Sequence, residues 1–255
     1  KALDLDPSFK EARYNLAVSL DRAGRSSEAA SAYEACLRDS PGEYQSSLNL
    51  SILFENQKRY SDSLRILDAA LRTGADKALL HFHRGEALLG LGRNEEAASS
   101  YAKAAELKND FYETRFNLGV ALSRASKIDE AVRAFQAASA LRASDAAPFF
   151  ETGRILRQAL RDAEAKQALE KALSLQPGHE GASLELVPIY LKEARNEDAI
   201  RVMKKCMEAN PRSYRAFFNG GNLFRKLGQT EDAKVSYRKA MEIEPGRPEA
   251  CINLG

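Results

Sequence analysis

Asn15, Asn49, Asn117, Asn219 and Asn253 stand 34 residues apart or at multiples of 34. Four of them lie in near-copies of one segment: RYNLA, SLNLS, RFNLG and CINLG. They make up five of the chain's eleven asparagines, although asparagine costs a helix interior roughly 0.6 kcal/mol relative to alanine. A carboxamide carries both a hydrogen-bond donor and an acceptor. A row of them could pair with the C=O and N–H groups of an extended peptide backbone without demanding a particular sequence. The competing account is duplication, in which the amide was copied along with its neighbours and has no role.

The elements that must position these amides show the same period. Pro7, Pro41, Pro177, Pro211 and Pro245 are spaced by 34 or its multiples. One column holds Ala29, Ala97, Ala131, Ala165, Ala199 and Ala233; four residues on come Tyr33, Tyr101, Phe135, Leu169, Met203 and Tyr237. A small column upstream contains Ala17, Ser51, Gly85, Gly119, Gly153, Gly221 and Gly255. Numbering positions 1 to 34 from Lys10, seven full repeats run 10–43, 44–77, 78–111, 112–145, 146–179, 180–213 and 214–247. Residues 1–9 read as the end of a preceding repeat, and 248–255 as the start of a further one. The whole chain reads as one array cut from a longer one.

Within each repeat, a first helix carries apolar or small residues at positions 4, 7, 8 and 11, one helical stripe. A second helix follows a turn. Small residues at positions 8 and 20 let the two approach closely, and the large residue at 24 fills the space beside them. A bulky side chain at Ala131 is expected to cost on the order of 1–3 kcal/mol. Gly24, Gly92 and Gly228 sit where first helices must end, and the prolines stop second helices. Ser63 and Ala75 depart from the pattern in the second repeat. Val187-Pro188 interrupts the sixth, where a kinked or short first helix is expected.

These columns resemble the tetratricopeptide repeat, a helix–turn–helix unit of the same period. The resemblance implies an all-α, right-handed superhelical solenoid whose first helices line an inner, concave wall where partners bind. Such a fold serves as a protein–protein interaction scaffold. It also serves as the substrate-recognition arm of a larger enzyme, such as a glycosyltransferase. Similar asparagine ladders mark the repeat regions of O-GlcNAc transferase and kinesin light chains. Advancing 100° per residue, positions 2, 6, 9 and 13 point away from the stripe, and every recurring asparagine is at position 6. His83, Glu151 and Glu185 occupy that position in the other repeats.

Residues 201–240 hold ten Lys or Arg against three Asp or Glu. Arg124, Arg154, Arg157, Lys192, Arg215, Arg225 and Lys226 fall on the same wall, which suits a peptide with acidic residues. The expected peptide-binding set is therefore Asn15, Asn49, His83, Asn117, Arg124, Arg154, Arg157, Lys192, Arg215, Asn219, Asn222 and Lys226. The family's carboxylate clamps need lysine at position 5, which here is Tyr14, Leu48, Phe82, Phe116, Phe150, Leu184 or Phe218; binding of a chaperone tail is not expected.

Other classes find little support. His81 and His83 are two apart on a helix and face different sides, so no shared metal is implied. Gly90-Leu-Gly92 lacks the glycine and lysine of a nucleotide loop. The pairs Glu95-Glu96 and Asp129-Glu130 precede second helices, where they favour the N-terminus electrostatically. No cofactor and no enzymatic activity are implied. The net charge of +2 argues against nucleic acid, and no run is apolar enough for a membrane span. Cys36, Cys206 and Cys251 are odd in number and scattered, as in the reducing interior of a cell and the cytoplasm. Self-association through the outer side or through uncovered ends is compatible with such an array.

Overall fold

A computed structural model describes residues 10–254; the expectation that residues 1–9 close an earlier repeat lies outside them. The described residues form helices and no strand. The order is α1 (Lys10–Arg22), α2 (Ser26–Asp39), α3 (Tyr44–Asn56), α4 (Tyr60–Arg72), α5 (Ala78–Gly90), α6 (Asn94–Leu107), α7 (Tyr112–Arg124) and α8 (Ile128–Leu141). Then come α9 (Ala147–Gln158), α10 (Asp162–Leu175), α11 (Glu180–Lys192), α12 (Asn196–Ala209), α13 (Tyr214–Lys226), α14 (Thr230–Ile243) and α15 (Pro248–Leu254). Odd-numbered helices are the first of each pair and even-numbered ones the second. The chain forms two compact units, Lys1–Ala134 and Phe135–Gly255. In the N-terminal unit each helix from α1 to α7 packs on the next, and α3 also touches α5. In the C-terminal unit α9 to α15 do the same, and α11 touches both α9 and α13.

A close approach holds the two helices together in the α5–α6, α9–α10 and α13–α14 hairpins. A Cβ on Gly85 would lie 2.7 Å from the Tyr101 ring, one on Gly153 2.5 Å from Leu169, and one on Gly221 2.5 Å from the Tyr237 ring. Position 8 therefore meets the large residue at 24 directly. Positions 20 and 24 are buried in every pair, and each buried ring or aliphatic side chain is worth roughly 1.5–3 kcal/mol of transfer free energy. The buried arc differs from the sequence reading. Position 4 is buried only at Ser47 and Ser183, whereas positions 3 and 10 are buried from α3 to α13. A first helix is covered by its own partner and by the adjacent pair, so its apolar arc is wider than one hairpin requires.

The turn after each first helix needs a left-handed residue. Gly24, Gly92 and Gly228 take it at φ of 74°, 74° and 75°. Lys58, Ser126, Leu160 and Ala194 take it at 58°, 61°, 61° and 57°, a conformation that strains a side chain. α11 runs through Pro188 with 13 residues, the length of α1, α3, α5, α7 and α13, so the expected shortening does not occur. Pro188 is exposed, and the packed face of α11 is intact around Leu186, Val187, Ile189 and Tyr190. Five of the second helices start on an arginine that closes a ring with an acid three residues on. The pairs are Arg25–Glu28, Arg59–Asp62, Arg93–Glu96, Arg161–Glu164 and Arg195–Asp198. Hydrogen bonds from the guanidinium hold Glu28, Glu96 and Asp198 below the usual carboxylate range.

Leu160 is 85% exposed, so Leu160→Gly should relieve strain without losing packing and raise stability by about 0.5–1 kcal/mol in urea unfolding. A carboxylate depressed in the folded state contributes stability above its unfolded value and loses it as pH falls through the folded value. In Arg93→Ala the NMR titration midpoint of Glu96 should therefore move up, with Glu28 unchanged.

Candidate functional site

The residues at positions 2, 6, 9 and 13 of α1, α3, α5, α7, α9, α11 and α13 are all half-buried or exposed. They form a face in each unit that the core does not consume. Position 6 lies at its seams, where consecutive first helices meet.

In the N-terminal unit, Asn49 Nδ2 donates to the hydroxyls of Tyr14 (3.2 Å) and Tyr33 (3.3 Å). Asn117 Nδ2 donates to Glu86 Oε1 at 2.6 Å, and the same oxygen accepts the Tyr101 hydroxyl at 2.5 Å. His83 Nδ1 meets Glu55 Oε2 at 2.8 Å, while buried Ser63 donates to Glu55 Oε1 at 2.8 Å. His81 instead meets Asp76 at 2.7 Å. Asn15 is exposed, and its amide has no partner among the described residues.

The C-terminal unit repeats the arrangement. Asn222 Oδ1 accepts from the Tyr237 hydroxyl (2.8 Å) and from Asn253 Nδ2 (3.2 Å), and Arg225 donates to Asn253 Oδ1 (3.1 Å). Arg157 donates to both the backbone and the carboxylate of Glu185, at 2.8 and 2.9 Å. Asn219 is the exception: its Nδ2 returns to the carbonyl of Arg215 on its own helix, at 2.8 Å.

The recurring amide thus tethers one first helix to the pair before it through a buried tyrosine at position 24. Burial raises the pKa of Tyr33, Tyr101 and Tyr237, with the Glu86 charge adding to it at Tyr101, so these phenols stay protonated; Tyr101 and Tyr237 donate and Tyr33 accepts. Sequence reasoning missed Glu55, Glu86 and the tyrosine hydroxyls. A signal was available: each tyrosine at position 24 (Tyr33, Tyr101, Tyr237) is followed in the next repeat by asparagine at position 6 (Asn49, Asn117, Asn253). What the seams leave open is the acceptor half. Oδ1 of Asn49 and of Asn117 has no donor among the described residues.

The cations differ in how far they are already used. Arg154 is paired with Glu151 at 2.5 Å, and Arg157 is held by Glu185. Lys192 is 70% exposed although Asp162 is 2.5 Å away; Arg215 is 65% exposed, with Glu180 only at 3.8 Å. Arg124 and Lys226 are exposed with no acidic partner among the described residues. The available positive charge therefore lies at positions 2 and 13, the borders of the face.

Comparison with protein families matches residues 1–44, 48–110 and 116–180 to the tetratricopeptide repeat. Two further descriptions of that repeat match 161–217 and 214–247. The chain is 35% identical over 71 residues to the peroxisomal targeting signal receptor of Candida albicans, a match that spans 28% of this chain and 12% of the receptor. Among solved structures, the C-terminal part of a tetratricopeptide-repeat protein from Cytophaga hutchinsonii aligns with a TM-score of 0.75. It is 12% identical, over 95% of this chain and 99% of that one. YrrB, described as having an unusual peptide-binding site, aligns with a TM-score of 0.66 and 23% identity, over 71% of this chain and 94% of its own. At these identities the likeness is one of fold. No helix among the described residues is long and apolar enough to cross a membrane.

The seam geometry separates the asparagines. Asn117→Ala strips a donor from the part-buried Glu86 carboxylate and should cost about 1.5–3 kcal/mol in urea unfolding. Asn219→Ala gives up a local bond and should stay within about 0.5 kcal/mol. Equal losses at both positions would refute the tether.

Proposed function

The chain belongs to the tetratricopeptide repeat family, and from that premise we propose that it is a protein-interaction scaffold whose first-helix face holds an extended segment of a partner. One observation carries this reading: four positions per first helix stay out of the core in all seven helices, while positions 8, 20 and 24 are buried throughout. A face that packing leaves alone is free to specialise. Its likeness to a protein described as peptide-binding, and to a receptor named for a targeting signal, supports the same reading.

Recognition divides between two kinds of group. The asparagines at the seams turn their donors inward, so what they offer a peptide is Oδ1, an acceptor for backbone N–H. The amide row grips a main chain from one side, and it also keeps the first helices in register. Charge supplies the rest. Lys226 and Arg124 have no acidic partner among the described residues, and Lys192 and Arg215 hold theirs in water, where such pairs contribute little. A segment with acidic residues would meet these cations at the borders of the face. Substituting all the asparagines at once would disturb both roles, so the charged border is the cleaner target.

A triple variant, Arg124→Glu, Lys192→Glu and Lys226→Glu, should weaken capture of the chain's partners by at least about ten-fold. The control, Arg238→Glu with Lys239→Glu on α14, should not. The remaining binding should weaken as salt rises. Equal loss with both variants, measured by quantitative affinity capture, would place the partner elsewhere.

A further inference from the structure

A crevice recurs where the start of one first helix meets the start of the next, between the side chains at positions 5 and 34. In the N-terminal unit Phe111, at position 34, lies against Phe82 with ring centroids 5.0 Å apart. In the C-terminal unit His179 lies against Phe150 at 4.6 Å. Both crevices are plugged from within the chain by a planar ring on a ring. At two of the positions where residue 34 is charged, Glu43 and Arg247, the crevice stands open. Beside Tyr14, with Glu43 at position 34, there is a cavity of about 380 Å³. Beside Phe218, with Arg247 at position 34, there is one of about 320 Å³.

The Phe218 crevice has a consistent chemistry. Phe218 stacks on Tyr214, centroids 5.6 Å apart and planes 11° apart, which makes a flat aromatic shelf. Arg247 is turned over the Tyr214 ring at 4.6 Å and ties to Glu244 at 2.6 Å, so it covers Tyr214 and the half-buried Phe218 ring is the part of the shelf that lines the cavity. Arg212 and Arg215 stand on the rim. Arg212 is exposed and has no acidic partner among the described residues, and Arg215 is only loosely held by Glu180. With Glu244 and Glu249 also at the crevice, guanidinium groups outnumber carboxylates by one. That balance suits a singly charged carboxylate better than a dianionic phosphate.

We propose that the Phe218 crevice accepts from a bound peptide the ring that position 34 supplies elsewhere: an aromatic side chain flanked by Asp or Glu, the ring on Phe218 and the carboxylate on Arg212 and Arg215. This rests on the reading of the first-helix face as peptide-binding, and it names the side chain that the C-terminal unit selects. The ring gains an offset-stacked contact, and the carboxylate gains charge-assisted bonds at a partly desolvated rim.

The test uses a fluorescein-labelled Gly-Ser-Glu-Phe-Glu-Gly-Ser peptide, titrated against the whole chain at low salt by fluorescence polarisation. Arg247→Phe copies the internal plug and should cut affinity at least about ten-fold without lowering the urea midpoint. Arg212→Ala with Arg215→Ala should do the same, as should peptides with Gln for Glu or Ala for Phe. Lys239→Ala, outside the crevice, should change nothing. Absence of saturable binding below about 1 mM, or undiminished binding by Arg247→Phe, overturns the crevice. If Arg247→Phe binds normally while Lys192→Glu with Lys226→Glu does not, the crevice fails and the first-helix face stands. If amide NMR shifts caused by the peptide fall on α12 and α14 instead, both fail.

Discussion

The structure depends on the contact between a residue with almost no side chain and one with a large one. In the α5–α6 hairpin the Gly85 backbone presses on the Tyr101 ring, and in α13–α14 Gly221 presses on Tyr237. A methyl group at either glycine would fall inside the ring's van der Waals surface, so the spacing of the two helices is set by that pair. Once it is set, the alanine at position 20 has no room to be anything larger. Ala97 and Ala233 are accordingly buried with the rings. Dense packing of this kind tolerates little volume change, which is why these columns hold their residue types while others drift.

The same ring carries order from the core to the surface. Its apolar body lies at the hairpin contact, and its hydroxyl emerges at the seam between first helices. There it meets Asn49 directly, Asn117 through Glu86, or Asn253 through Asn222. A phenol left without a partner at that depth would cost the desolvation of its O–H. Glu86 and Asn222 accept that O–H from Tyr101 and Tyr237, while the Tyr33 oxygen accepts from Asn49, and through the asparagines these links tie one pair to the next. Where position 24 is Leu67 or Leu169, there is no hydroxyl to satisfy, and the seam is closed instead by His83 with Glu55 or by Glu185 with Arg157. The asparagine column is thus partly a consequence of the tyrosine column, and its binding chemistry is what remains after that duty.

This explains what could be read from the residues and what could not. The hairpin, its period and the open face follow from columns of size and from helical geometry, both local to one chain segment. The left-handed turns at Lys58, Ser126, Leu160 and Ala194 were hidden, because only glycine advertises that conformation. Burial at positions 3 and 10 was hidden because a single helix does not show that a second neighbour covers it. The duty of the asparagines was obscured for the same reason. Periodicity places Asn117 on a face, but its partner Glu86 is 31 residues away on another helix.

Packing also decides where this architecture can change its ligand. Positions 8, 20 and 24 admit few substitutions, and position 6 is constrained wherever a tyrosine lies beneath it. Positions 2, 13 and 34 carry neither burden, and position 9 carries one only where it meets a tyrosine hydroxyl, at Glu86 and Asn222. Position 9 ranges from Val18 through Glu86 and Arg154 to Pro188, and position 34 from Phe111 through His179 to Arg247, with the fold unchanged around each. A ring at position 34 fills the crevice beside Phe82 and Phe150, whereas Glu43 and Arg247 leave it open beside Tyr14 and Phe218. One substitution at a surface position therefore turns a piece of internal packing into a cavity with chosen electrostatics, at little cost in stability because a buried contact is lost only at the rim. On the proposed reading, specificity in such a chain resides in which crevices are left unfilled as much as in the side chains that line them.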